Sequence, residues 1–131
     1  MPTIFSKILN GEIPSYRIAE DEDHFAFLDI RPLQKGHTLV IPKKEIDYIF
    51  DLDDSALSSL MLFSKRIAKA LALSITCKRV GVAVIGLEVP HVHIHLVPLQ
   101  TVGDINFTRP PVDMTSDEMA SIASRIQSNF V

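Results

Sequence analysis

Residues 91 to 97 alternate histidine with apolar side chains, His91-Val92-His93-Ile94-His95-Leu96-Val97. In an extended strand, positions i, i+2 and i+4 share one face. The alternation therefore predicts a strand over 89–99, with three imidazoles lining a polar groove and Val92, Ile94 and Leu96 facing a core. Three adjacent imidazoles suit a core poorly, because each buried ring nitrogen needs a hydrogen-bond partner. One face of this strand is thus reserved for a site, and the other must be covered by something apolar.

The cover is a helix. Leu57, Leu60, Phe63, Ile67 and Leu71 recur at helical spacing, with Lys65, Arg66 and Lys69 free to face water, and one of Asp53 to Ser55 caps the start. The pattern carries this helix to about Ser74. Further elements follow from local signals. Thr3 caps a short helix whose apolar face is Ile4, Phe5, Ile8 and Leu9, ended by Asn10-Gly11. Tyr16 to Glu20 and Phe25 to Asp29 read as an antiparallel hairpin turned by an acidic cluster, with His24 at strand entry. His37 to Ile41 reads as a strand closed by Pro42, and Val80 to Ile85 as another. The Pro110-Pro111 pair makes 100–113 an extended arm. Thr115 with Glu118 in capping-box register then starts a last helix, striped by Met119, Ile122, Ile126 and Phe130. This order predicts an α+β fold: a mostly antiparallel sheet packed with one long helix, plus short N- and C-terminal helices.

A length of 131 residues fits a single domain over 1–131. A hydrophobic content of 47% against 22% charged residues excludes disorder. The net charge of −3 gives no global attraction to a nucleic-acid polymer or an anionic membrane, so any nucleotide needs a local site. The lone Cys77 excludes an intramolecular disulfide and a Cys-rich zinc site, and reads as a structural thiol. The start of the chain lacks the order of a signal peptide, and no run is long enough to span a membrane. A cytoplasmic setting is the expectation.

The histidine face admits three uses on pattern alone. A His-x-His pair with His37 would offer a metal nitrogen ligands, although His91 and His95 lie about 13 Å apart along a strand. Imidazole, with an ordinary pKa of about 6.5, is also a neutral nucleophile near neutral pH. Phosphoryl or nucleotidyl transfer needs such a nucleophile, donors for the phosphate oxygens and a proton for the departing atom. A satisfied ladder without chemistry is the third use.

The run His91 to Val97 resembles the His-φ-His-φ-His-φ-φ signature of the histidine triad family, φ being apolar. A second block is also similar to that family: Ile4-Phe5-x-Lys7-Ile8 with Gly11-Glu12-Ile13-Pro14, then Phe27-Leu28-Asp29-Ile30-x-Pro32 and Gly36 to Lys43. The likeness covers roughly residues 3 to 99, which makes 1–100 the family core and 101–131 an added arm and helix. It implies the family's fold, a homodimer with a sheet continuous across the interface, a purine-nucleotide site and a covalent nucleotidyl-histidine. By motif position His93 would be the nucleophile. His91 and His95 would orient it, contact phosphate oxygens and manage the leaving-group proton, with His37 in support. Asp29 would bind the ribose hydroxyls, a task suited to a two-oxygen acceptor. Ile4, Phe5, Ile8, Phe27 and Leu28 would wall the base. No cofactor is required and no metal is expected, since the Cys-x-x-Cys of some relatives is missing near Phe5-Ser6-Lys7-Ile8.

The chain departs from the family pattern just before the triad. Relatives carry an Asn- and Gly-containing loop ending in a Gly-Gln-Ser/Thr-like segment, whereas Ile85-Gly86-Leu87-Glu88-Val89-Pro90 stands here. The loop reads as a tight turn, with backbone N–H groups at Gly86 to Glu88 as the remaining phosphate donors. Glu88 would face solvent or would favour a leaving group bearing an amine. The expected activity is hydrolysis or nucleotidyl transfer at the α-phosphorus of purine nucleoside phosphoramidates or dinucleoside polyphosphates. The competing expectations are a purine-nucleotide-binding regulatory module with weak turnover and a metal-dependent hydrolase.

Overall fold

The computed structural model describes residues 2–131; Met1 lies outside the described residues. Five strands form one antiparallel sheet in the order β1-β2-β3-β5-β4. They are β1 (Arg17–Glu20), β2 (His24–Leu28), β3 (Thr38–Pro42), β4 (Arg79–Ala83) and β5 (Ile94–Leu99). Three α-helices join them: α1 (Ile4–Leu9), α2 (Asp54–Ser74) and α3 (Ser116–Asn129). The architecture is the α+β arrangement that the periodicities predict.

Both faces of the central strands are buried, but by different partners. Ala26, Leu28, Val40, Val92, Ile94 and Leu96 join Leu60, Phe63, Ile67 and Leu71 of α2, together with Met119, Ile122 and Ile126 of α3, in the main core. The opposite face of β2 and β3 presents Phe25, Phe27, Leu39 and Ile41, which pack with Phe5 and Ile8 of α1 in a smaller cluster. That second face explains why β2 and β3 are buried throughout rather than alternately exposed.

The caps form where the sequence places them. Thr3 accepts the Ser6 N–H, Asp53 accepts the Ala56 N–H, and Thr115 and Glu118 close a full capping box. Leu57 is only half-buried, so the stripe of α2 effectively begins at Leu60. Gly36 sits at the entry to β3 with φ +90°, and a Cβ there would lie 2.9 Å from Ile75 and 3.0 Å from Leu71. The close approach of α2 to the sheet at this corner needs glycine twice over, for its backbone and for its missing side chain.

Two elements differ from expectation. The strand predicted over 89–99 begins only at Ile94, so His91 and His93 precede it. The reason is hydrogen bonding: Val92 N–H donates to Ile46 in the loop after β3, and His91 N–H donates to Val89, so neither enters the ladder. The strand predicted over Val80 to Ile85 is β4, Arg79–Ala83. The arm at 100–113 carries a short 3-10 turn, Val102–Asp104, and is pinned where Val112 N–H donates to Pro32.

Candidate functional site

The imidazoles stand in a row. Ring centroids are 5.0 Å apart for His93 and His95, and 5.2 Å for His95 and His37. Phe5 of α1 sets its ring edgewise on His93 at 5.0 Å, and Phe107 of the arm does the same to His95 at 4.6 Å. A cavity of about 590 Å³ opens over this row, reached by His93, His95, His37 and Asp29. No buried side-chain nitrogen or oxygen among the described residues lacks a partner.

Those partners assign every ring proton. His93 Nδ1 lies 2.7 Å from the His91 carbonyl oxygen, which can only accept, so Nδ1 carries the hydrogen. In the neutral ring, Nε2 of His93 is then an open lone pair at the cavity. His37 Nδ1 accepts the Leu33 N–H at 3.0 Å, so the His37 proton is on Nε2. It donates to His95 Nδ1 at 3.0 Å, which leaves the His95 proton on its own Nε2. The site therefore pairs a lone pair on His93 with an N–H on His95. Sequence spacing does not show this division of roles; it follows from two backbone groups.

Burial keeps His95 and His37 uncharged at neutral pH. It pushes the His95 pKa down to about 3, with His37 and His93 as lesser causes, and the His37 pKa down to about 4. The Asp29 carboxyl is raised by burial, against the opposing Arg31 N–H bond at 2.8 Å to its Oδ1. Its other oxygen, Oδ2, lies 3.6 Å from His37 Nε2.

Asp29, His37 and His95 bring ligand atoms within 4.8 Å of one another, a spacing compatible with a metal ion. Their chemistry does not fit one. His37 Nδ1 is committed to the Leu33 N–H, so Nε2 keeps its proton and has no lone pair for an ion unless that bond breaks.

Several expected site residues lie elsewhere. His91 is fully buried, with Nε2 donating to Pro42 at 2.8 Å and Nδ1 at 3.1 Å from the Thr3 hydroxyl. Both nitrogens are used, so it contacts no phosphate; only its carbonyl serves the site, by orienting His93. Leu28 faces the main core, because it alternates with Phe27 along β2. Phe27 and Ile8 sit behind Phe5 in the smaller cluster and support the wall rather than form it. Ile4 and Phe5 do reach the cavity, as do Gly86, with φ +71°, and Glu88. The sequence reading misses Ile30, Leu39, Arg31, Phe107 and Arg109, which also line it. Leu39 was legible as the strand neighbour of Phe27. Phe107, an aromatic within a polar arm, was the available sign that the arm folds back.

His24 is more than a strand-entry residue. It is buried, its Nδ1 is 2.9 Å from Asp21, its Nε2 is 3.4 Å from the Ser59 hydroxyl, and it stacks on Phe63. It ties the hairpin turn to α2, far from the imidazole row in the sequence and beside a separate hollow of about 400 Å³.

The HIT domain family matches residues 10–102. The chain belongs to the histidine triad family. Its members bind nucleotides and include hydrolases. Adenosine 5'-monophosphoramidase HNT1 of Saccharomyces cerevisiae is 41% identical over 96 residues, which is 72% of this chain and 61% of the yeast protein. The chain thus spans about three fifths of that relative's length. Among solved structures, a Hit-like protein involved in cell-cycle regulation from Bartonella henselae superposes with a TM-score of 0.84. It is 30% identical, and the match covers 98% of this chain and 96% of that one. A zinc-bound histidine triad family protein from Mycobacterium smegmatis gives 0.81 at 29% identity, covering 96% and 91%. The two structural matches extend through the arm and α3, beyond the family's matched segment.

Proposed function

We propose that this chain cleaves the bond between the α-phosphorus of a purine nucleotide and its leaving group, through a covalent nucleotidyl-His93. The observation that carries the reading is the 2.7 Å bond from His93 Nδ1 to the His91 carbonyl. It leaves the Nε2 lone pair facing a cavity large enough for a nucleotide. In the first step that lone pair forms a P–N bond while the P–N or P–O bond to the leaving group breaks. The leaving group departs with a proton drawn from the His95 Nε2–H or from bound water. Water then attacks phosphorus, the P–N bond to His93 breaks, the proton that this water gives up replaces the one lost in the first step, and a nucleoside monophosphate is released.

The other residues follow by position. The His95 Nε2–H donates to a phosphate oxygen, and His37 holds that ring in the donating tautomer. Asp29 Oδ2 is the acceptor for a ribose hydroxyl, while Ile4 and Phe5 wall the base. Backbone N–H groups around Gly86 to Glu88 supply what the shortened loop retains for the phosphate. The yeast relative's name favours a phosphoramidate as the substrate class. No step calls for a cofactor. The family likeness supports a homodimer, and β4, at the sheet edge with Val82 exposed, offers a strand for it. No helix among the described residues is long and apolar enough to cross a membrane.

Incubation with adenosine phosphoramidate tests the reaction. The expected result is AMP release that is insensitive to chelator and falls by at least ~10³-fold in His93→Ala, the scale of losing a covalent nucleophile. Turnover that survives His93→Ala refutes the nucleophile, and loss with chelator refutes the metal-free step. One observation favours a weaker enzyme: Glu88, an exposed acidic residue, is among those that line the cavity. Retained AMP binding with no turnover would support a regulatory nucleotide-binding module instead.

A further inference from the structure

One polar network beside the site is not used by the proposed reaction. Glu45, in the loop after β3, accepts the Thr3 N–H at 2.9 Å and the Ser6 hydroxyl at 2.5 Å. Thr3 Oγ1 accepts the Ser6 N–H at 3.1 Å, which caps α1, and lies 3.1 Å from His91 Nδ1. Since His91 Nε2 donates to the Pro42 carbonyl, the neutral ring accepts at Nδ1 and the Thr3 hydroxyl must donate to it. A single chain of directed bonds thus runs from the Glu45 carboxylate through the start of α1 to His91.

The network sits under a weak element. A helix of six residues does not hold itself together in water, so α1 depends on its attachments. It carries Ile4 and Phe5 to the cavity, and the Phe5 ring lies edgewise on both His91, at 5.8 Å, and His93. The apolar packing of Phe5 fixes one side of the helix, while at its N-terminal end Glu45 fastens it to the loop after β3 and Thr3 fastens it to His91 in the segment before β5.

We propose that Glu45 and Thr3 are positioning residues that fasten α1 to His91, so that the base wall and the support of the nucleophile move as one unit. Glu45 is exposed and touches no part of the cavity, so its effect passes entirely through α1. Gln at position 45 keeps the acceptor oxygen without the charge, whereas Ala removes the fastening. Likewise Ser at position 3 keeps the hydroxyl that Val removes.

The proposal rests on the function inferred above, and its test has readouts that do not need turnover. Amide exchange over residues 4–9 and the ring 15N shifts of His91 are measured in wild type, Glu45→Ala, Glu45→Gln, Thr3→Val and Thr3→Ser. Steady-state kinetics on adenosine phosphoramidate are measured beside them. Glu45→Ala removes both hydrogen bonds and is expected to speed exchange in α1 and to raise KM at least about fivefold, the scale of one net hydrogen bond, with kcat within about twofold. Glu45→Gln should stay near wild type, and Thr3→Val should shift the His91 Nδ1 resonance while Thr3→Ser does not. Wild-type exchange and KM in Glu45→Ala overturn the proposal, as does an equal effect of Glu45→Gln and Glu45→Ala. If no variant turns over phosphoramidate, the proposed reaction fails while exchange and 15N shifts still decide the fastening.

Discussion

His37 and His95 should make this protein lose stability steeply between pH 7 and pH 5. Each titrates near 6.5 when unfolded, while burial holds the folded pKa at about 4 for His37 and about 3 for His95. The unfolded chain therefore binds more protons throughout that range, and stability falls as the pH falls. By linkage, each histidine costs about 2 kcal/mol on going from pH 7 to pH 5, or ~4 kcal/mol for the pair. That is a large part of the ~5–15 kcal/mol that holds a domain folded. His91, also lowered by burial, acts in the same direction. Asp29 acts in the opposite direction, because its raised carboxyl gains a proton more easily when folded, but only as the pH nears the carboxylate range. Glu20, Asp21 and Glu118, all lowered, lose their contributions below this window. Urea unfolding at pH 7, 6 and 5 reads the slope directly. His37→Asn keeps an oxygen to accept the Leu33 N–H and removes one titrating ring, so its loss should shrink by about 2 kcal/mol. Equal stability at pH 7 and pH 5, or an unchanged slope in His37→Asn, would refute the neutral imidazole pair.

Leu28→Ala should lower stability by about 2–5 kcal/mol while leaving the KM of the folded fraction unchanged, because Leu28 faces α2 rather than the cavity. A raised KM at unchanged stability would return Leu28 to the base wall. Glu88→Ser removes a negative charge from a residue that lines the cavity and is expected to favour dinucleoside polyphosphates, with their anionic leaving groups, over phosphoramidates. The ratio of kcat/KM for the two substrates measures it, and an unchanged ratio leaves Glu88 a solvent-facing turn residue. Thr115→Ala breaks a complete capping box and should cost about 1 kcal/mol in the same unfolding assay, with unaltered stability counting against the cap.

The features written in local chemistry were legible in the sequence. The stripe from Leu60 to Leu71, the caps at Thr3, Asp53 and Thr115, and the alternation in β5 each state their structure within a few residues. What depended on distant partners was not legible. The bond from Val92 N–H to Ile46 shortens β5 at its start, and 46 positions separate its two ends. Spacing places His91, His93 and His95 on one side but cannot show that Thr3 and Pro42 take both nitrogens of the first. Nor can it show that Leu33 fixes the tautomer of His37, and through it that of His95. The two faces of β2 were partly legible. Strict alternation forbids Phe27 and Leu28 from lining the same wall, and the family likeness overrode that constraint in the expectation. Phe107 and Arg109 reach the cavity because Val112 fastens the arm to Pro32, a contact that composition does not announce.

In the proposed reaction, the low pKa values of His37 and His95 constrain where the proton comes from. With a pKa of about 3, His95 is protonated too rarely at neutral pH to serve as a stored acid. Its low value comes first from burial, then from the proximity of His37 and His93. An anionic phosphate set beside Nε2 would oppose the burial penalty and raise that pKa. Attack by His93, as proposed, would make its ring cationic, with Nδ1–H still held by the His91 carbonyl. The bound nucleotide would thus bring the charge that turns the His95 hydrogen-bond donor into a better acid. In wild type, a kcat profile showing an ionisation above that of free His95 would support this coupling. Equal acid limbs for kcat and kcat/KM would place the leaving-group proton elsewhere, with bound water as the next donor to consider.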